Sequence, residues 1–198
     1  KRAKLMQAAV PSGSGSMAAI LGLDDQKVIE ICSFVNKLGV VEAVNFNSPG
    51  QVVISGDKKA VDSACELMKE AGAKRALVLP VSVPSHCSLM KDSAMEFKHS
   101  VDDIDFQMGI KKVIHNVDAD YSSNIEGIKS KLVEQLHKPV LWTSTVQKMK
   151  GSGAEKLIEA GPGKVLAGLT KRIDKSLSGS AIIDVITLKS TIEEISNA

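Results

Sequence analysis

Aromatic side chains are nearly missing from this sequence, which has one Trp, one Tyr and four Phe among 198 residues. A core built without them must be aliphatic, and a hydrophobic share of 43% supplies enough Val, Ile, Leu, Ala and Met to fill one. Charge of one sign is also lacking. Lys and Arg number 25 against 23 Asp and Glu, a formal net charge of +2 with no basic block, which argues against a nucleic-acid surface. No apolar run reaches membrane-spanning length and the start is not a signal peptide, so no membrane partner is expected. Cys32, Cys65 and Cys87 are odd in number and lack metal-ligand spacing. They point to reduced thiols, a cytoplasmic setting and no metal. A final absence bears on chemistry: no serine stands in a Gly-x-Ser-x-Gly elbow.

What is present organises into two patterns. Residues 1–15 read as the end of a helix, Lys1 to Gln7, followed by the flexible turn Pro11-Ser12-Gly13-Ser14-Gly15-Ser16. The helix has no cap before it, so a piece of a longer protein is expected. Residues 16–82 then read β-α-β-β-α-β. A strand at Met17–Leu21 precedes a helix capped by Asp24 that runs to Leu38, with Val28, Ile31, Cys32, Val35 and Leu38 at helical spacing. Strands follow at Val41–Phe46 and Gln51–Ser55. A helix capped by Asp57 carries Val61, Ala64, Met68 and Ala71 on one face, and a strand at Arg75–Val81 closes the unit. This order is the split βαβ, or ferredoxin-like, pattern.

Residues 83–198 alternate helix and strand in the manner of an α/β layer with a parallel sheet. Helices are expected at Ser88–His99, Asn124–Leu136 (Ile125, Ile128, Leu132 and Leu136 inward), Trp142–Lys150, Lys164–Leu177 and Leu188–Ile195. Strands are expected at Lys112–Val117, Lys156–Ala160 and Ala181–Val185. Two glycine motifs imitate phosphate binders. Gly13-Ser14-Gly15-Ser16-Met17-Ala18 enters a strand instead of opening a helix, the wrong context for a dinucleotide. Gly161-Pro162-Gly163-Lys164 lacks the earlier Gly, and Val165 replaces the Ser or Thr that holds magnesium. It reads as a tight strand-to-helix turn whose helix N-terminus can face an anion.

Among the four histidines, His99 and His137 lie in polar helical surroundings and are expected to be solvated, and His115 lies in a strand. His86 differs. It follows the extended segment Pro80-Val81-Ser82-Val83-Pro84 and precedes a helix, the place where α/β proteins set reactive groups. Cys87 is a poor nucleophile for it, since adjacent residues on an extended chain point apart.

Four stretches together are similar to a known family. Lys4-Leu5-Met6-Gln7-Ala8-Ala9-Val10-Pro11 with Met17-Ala18-Ala19-Ile20, Val44-Asn45-Phe46-Asn47-Ser48-Pro49-Gly50-Gln51-Val52-Val53-Ile54, Pro80-Val81-Ser82-Val83-Pro84-Ser85-His86-Cys87 and Gly161-Pro162-Gly163-Lys164-Val165-Leu166 resemble malonyl-CoA:acyl-carrier-protein transacylases of type II fatty acid synthesis. The resemblance runs from residue 1 to about 175, and the tail beyond Leu177 resembles little. It implies an α/β-hydrolase-like core, incomplete in this chain, with an inserted ferredoxin-like subdomain. It also implies that the nucleophile elbow lies N-terminal to Lys1, so this chain alone is expected to be inactive.

By the same resemblance, His86 is the catalytic base and the backbone carbonyl of Gln135 orients it. Arg2 holds the malonyl carboxylate, Met6 lines the same pocket, Ser85, Asn45 and Asn47 are pocket positions, and Asn116 supports the histidine loop. Malonyl-CoA is then a substrate, so no cofactor is needed, and acyl carrier protein is the partner of a monomeric enzyme. Departures from the family pattern are Ala3 for Gly, His115 for Asn, Leu141 for Gln and a missing Pro near residues 108–112; they suggest a divergent member. Two other readings remain: a non-catalytic fragment that binds carrier protein, and an acyltransferase domain of a polyketide synthase.

Overall fold

A computed structural model describes residues 1–81 and 83–196; Ser82, at the expected boundary of the ferredoxin-like segment, lies outside the described residues. The elements in chain order begin with α1 (Arg2–Ala8), β1 (Gly15–Leu21), α2 (Asp25–Val35), β2 (Val41–Ser48), β3 (Gln51–Asp57), α3 (Lys58–Glu70) and β4 (Arg75–Val78). Next come α4 (Lys91–Asp102), β5 (Ile114–His115), β6 (Asp120–Tyr121), α5 (Ile125–Glu134), α6 (Trp142–Gly151), β7 (Lys156–Ala160), α7 (Val165–Ile173), β8 (Ser178–Ile182) and α8 (Val185–Ser196). The chain divides into two compact units, residues 1–145 and 146–198.

In the first unit β1 to β4 form one antiparallel sheet in the order β2-β3-β1-β4, the ferredoxin-like arrangement read from the pattern. Asp24 caps α2 by accepting the Gln26 N–H at 2.9 Å. The side chains that α2 and α3 bury, Val28, Ile31, Cys32 and Val35 with Ala60, Val61, Ala64, Cys65 and Met68, pack on Ala18, Ile20, Val41, Val52 and Ile54 of the sheet. Strand alternation sends the neighbouring residues Met17, Val44 and Val53 to the opposite face, where they meet Cys87. The sheet is thus covered on both faces, and Cys87, fully buried, pins the residue before it in place. A third cluster joins α1, α4 and α5 through Met6, Met90, Ala94, Val101, Val133 and Leu136.

One glycine is dictated by close approach. A Cβ on Gly56 would stand 1.9 Å from the Val40 carbonyl oxygen, so no other residue fits there. The same join corrects the expected role of Asp57. Its carboxylate does not cap α3; it turns back to accept the Val40 N–H at 2.7 Å, while its own N–H donates to the Val40 carbonyl at 2.7 Å.

Other expectations shift at the element ends. α2 stops at Val35, and Asn36–Leu38 tighten into a 3₁₀ turn whose Asn36 side chain accepts the Val41 N–H. β4 ends at Val78. The helix expected from Ser88 starts as a 3₁₀ turn over Ser88–Met90 before α4. The strand expected over 112–117 shrinks to β5, paired only with β6. In α5 Val133 is buried, and Leu136 beyond its end, while Ile125, Ile128 and Leu132 are half-buried.

In the second unit β7 and β8 pair in parallel, joined by α7. α7 ends at Ile173 instead of Leu177, because Asp174 leaves the helical region and its carboxylate accepts the Ser176 N–H at 2.8 Å. β8 begins at Ser178, earlier than expected. The anion facing the start of α7 is Glu159, whose carboxylate accepts the Ala167 N–H at 2.9 Å. Val165, Val185 and Ile186, at the starts of α7 and α8, are 70%, 66% and 77% exposed, while Leu169 of α7 is buried.

Candidate active site around His86

The residue after the extended segment is held in an unusual way. His86 has φ +68°, a left-handed conformation that costs a β-carbon-bearing residue on the order of 1 kcal/mol and persists where surroundings force it. Three contacts force it here. Cys87 anchors one side in the sheet. The His86 N–H donates to the Leu136 carbonyl at 3.1 Å, and ring atom Nδ1 lies 2.6 Å from the Gln135 carbonyl. A carbonyl can only accept, so the proton sits on Nδ1 and neutral His86 keeps its lone pair on Nε2.

Both carbonyls belong to the frayed end of α5, where Gln135 is the C-cap. Terminal carbonyls have no partner inside their helix, and the negative end of the helix dipole favours an imidazolium. His86 therefore meets an acceptor that has no other hydrogen bond among the described residues and that favours a positively charged ring.

Burial pushes the His86 pKa below its ordinary value of 6.5; the Gln135 carbonyl opposes that shift and the Arg2 charge adds to it. The positive charge of Arg2 is thus felt at the imidazole. Arg2 is half-buried, burial lowers its own pKa, and it makes no hydrogen bond or ion pair with the described residues. A half-buried guanidinium without a carboxylate is a ready site for an anionic group.

The supports of α5 complete the geometry. The Gln135 side-chain amide donates to the Asn116 side-chain oxygen, and the Leu141 N–H donates to the Asn116 carbonyl at 2.7 Å. The segment after α5 is stitched to β2: Val140 N–H to the Val44 carbonyl at 2.8 Å, Phe46 N–H to the Val140 carbonyl at 3.0 Å, and Thr143 hydroxyl to the Phe46 carbonyl at 3.1 Å. Glu42 of β2 also accepts the Ser88 N–H and hydroxyl, which fixes the turn after His86.

Met6 is 6% exposed and packs in the same cluster as Leu136, behind the carbonyl that holds the His86 N–H. Ser85 is half-buried, its N–H donating to the Val83 carbonyl at 2.9 Å. Asn45 and Asn47 are half-buried in β2, and Asn45 bridges Val140; no hydrogen bond joins either to His86 among the described residues. Cys87 is no nucleophile: burial pushes its thiol up to about 11. His137, expected in solvent, is half-buried with Nδ1 unpartnered, and burial lowers its pKa. Leu136 and Glu42 were not foreseen, because a backbone carbonyl leaves no signal in a side-chain pattern and a carboxylate on a strand reads as solvated.

Over 192 residues the chain is 50% identical to the malonyl CoA-acyl carrier protein transacylase of Escherichia coli strain K12, a match covering 97% of this chain and 62% of that protein. This chain is a relative of the malonyl CoA-acyl carrier protein transacylases. The relative from Bacillus subtilis strain 168 is 43% identical over 196 residues. The crystal structure of an acyl carrier protein S-malonyltransferase from Vibrio cholerae superposes with a TM-score of 0.93 at 53% identity, covering 96% of this chain and 62% of that one. A malonyl-transacylase in complex with a type II PKS acyl-carrier protein superposes with a TM-score of 0.95 at 48% identity, covering 98% and 62%. No family model matches the chain. The chain spans about 62% of the length of the curated relatives it matches. An alignment of 192 residues in a chain of 198 takes in most of the tail beyond Leu177, where little similarity was expected.

Proposed function

We propose that this chain carries the acid/base and acyl-selecting part of a malonyl-CoA:acyl-carrier-protein transacylase, in which a serine outside the chain is the nucleophile. The observation that carries the reading is the His86 ring, fixed through Nδ1 by the Gln135 carbonyl and lying within the field of an unpaired Arg2.

The reaction is a two-step exchange. The serine hydroxyl attacks the malonyl thioester carbonyl while His86 Nε2 takes its proton. The tetrahedral intermediate collapses, the C–S bond breaks, and His86 returns the proton to the departing coenzyme A thiolate. The phosphopantetheine thiol of acyl carrier protein then gives its proton to His86 and attacks the serine ester; the ester C–O bond breaks, and His86 returns the proton to the serine oxygen. Imidazolium forms twice, each time against the α5 terminus that stabilises it. Arg2 pairs in two parallel bonds with the malonyl carboxylate, and an acetyl group would leave it unpaired, so selection resides in the site.

Met6, Ser85, Asn45 and Asn47 are assigned to the pocket wall, and Asn116 to the support of Gln135. The functional segments are residues 1–15, 16–82 and 83–198. The reaction needs no metal or redox cofactor, and the enzyme works as a cytoplasmic monomer; no described helix is long and apolar enough to cross a membrane.

The test is malonyl transfer to acyl carrier protein by the full-length protein. His86→Ala reduces the steady-state rate by about 10²–10⁴-fold, the range for loss of a general base. Undiminished transfer overturns the assignment.

A further inference from the structure

The Gln135 carbonyl can hold His86 only if Gln135 itself is held. Its side chain rests on Asn116, and Asn116 sits in the turn of the β5–β6 hairpin. That hairpin is a weak platform by itself. It has two rungs, Ile114 with Tyr121 and His115 with Asp120, and isolated hairpins are marginal in water. Its turn forces Ala119 to φ +56°, a left-handed conformation unfavourable for alanine. Nor does the hairpin pack tightly on α5. A cavity of about 170 Å³ lies between them, lined by Ile114, His115, Asn116, Val117, Lys131 and Gln135.

Lys131 of α5 bridges this gap. Its ammonium lies 2.8 Å from the Asp118 carboxylate, 2.8 Å from the Tyr121 carbonyl and 3.3 Å from the Asp120 carbonyl. An ammonium has three protons, and all three are directed at one hairpin. The Lys131 side chain is 16% exposed and that of Asp118 44%, so the lysine end of the pair is the shielded one. Asp118 is doubly engaged, since its other carboxylate oxygen accepts the Asp120 N–H at 3.2 Å across the strained turn. One turn further along α5 stands Gln135, with its own side chain on the same hairpin.

We infer that Lys131 is a positioning residue for His86. It clamps the 114–121 hairpin to α5 so that Asn116 fixes Gln135, whose carbonyl selects the Nδ1–H form of the imidazole. The inference rests on His86 as the base, and it adds a residue that touches neither substrate nor His86. The clamp depends on the lysine's charge and protons, so a lysine-to-apolar change breaks it while most of α5 stays packed through Val133 and Leu136.

The test is ¹⁵N NMR of the His86 ring in the full-length protein, above the pH where the ring protonates. The unaltered protein shows Nδ1 protonated and Nε2 bare. Lys131→Met shifts both ring nitrogens toward the values of a mixed tautomer, and Lys131→Arg restores the pattern. If Lys131→Met does not fold, Asp118→Asn decides, because it removes the ion pair from the more exposed partner. A smaller shift in the same direction supports the clamp. A folded Lys131→Met, or in its place a folded Asp118→Asn, with ring shifts equal to the unaltered protein overturns it. In the full-length protein Lys131→Met lowers kcat about tenfold with KM little changed, on the scale for partners that orient an imidazole. A rise in KM with kcat unchanged overturns the positioning role. Undiminished transfer by His86→Ala would instead remove the base assignment and leave the ring measurement standing.

Discussion

Residues 15–78 and residues 83–141 of the same unit are built on different physics. The first stretch is a sheet with two helices, held by fully buried aliphatic side chains such as Val28, Val41, Ile54 and Met68. The second has a two-rung hairpin, 3₁₀ and left-handed turns, and backbone groups borrowed across the fold: Leu136, Gln135 and Val140 carbonyls, and the Asn116 and Lys131 side chains. Bulk packing specifies the first and tolerates small errors of angle. Hydrogen bonds with fixed geometry specify the second, which aims one ring nitrogen. A fold can thus put its stability in one region and its orientation in another, and variants should separate them.

Ile54→Ala gives the largest stability effect. Ile54 of β3 is fully buried in the cluster that α2 and α3 make with the sheet, and its truncation costs about 2–5 kcal/mol in chemical denaturation. The His86 ring keeps its tautomer in the folded fraction; a tautomer change there would break the division of labour. Arg2→Ala comes next, acting on selection and not on stability. Malonyl over acetyl preference of the full-length protein falls by about 10–100-fold, the loss of one charge-assisted pair. Competition between the two thioesters measures it, and an unchanged ratio removes Arg2 from the site. Asp57→Ala removes the bond to the Val40 N–H and costs about 1 kcal/mol, read as a lower midpoint with an unchanged denaturant slope.

The smallest effect is on pH dependence. Burial holds His86 below 6.5, so the neutral base persists on acidification and the acid limb of the transfer rate lies below that value. Arg2→Ala removes a charge that adds to the lowering, so the limb moves upward toward 6.5. The same shift has a consequence for folding. Below 6.5 the unfolded chain binds a proton that folded His86 resists, so the contribution of neutral His86 to stability is lost as pH falls from 6.5 toward the folded value. A limb at or above 6.5 in the unaltered protein contradicts the burial argument.

These two regions were unequally legible in the sequence. The βαββαβ order, the Asp24 cap and the inward faces of α2 and α3 followed from period and capping, because burial imposes both. Asp57 misled because a residue suited to cap a helix found a better donor in Val40 N–H, which only the folded register brings near. Around His86 the pattern gave the loop after a strand and nothing more, and the roles of Arg2 and Gln135 came from resemblance to known transacylases. The left-handed turn at His86 and the Leu136 carbonyl join residues about 50 positions apart, and the Lys131 clamp pairs one lysine with a carboxylate and with backbone carbonyls that every residue carries. No local signal encodes them. His137 was assigned to solvent from its polar neighbours, yet the end of α5 turns it inward.

The most direct test of His86 as base is a single-turnover measurement of the first half-reaction. Full-length protein is mixed with excess malonyl-CoA, and the covalent malonyl ester is followed by mass. His86→Ala is expected to form the ester about 10²–10⁴-fold more slowly than the unaltered protein. Ester formation at the unaltered rate would contradict the account, because the serine would then lose its proton without His86.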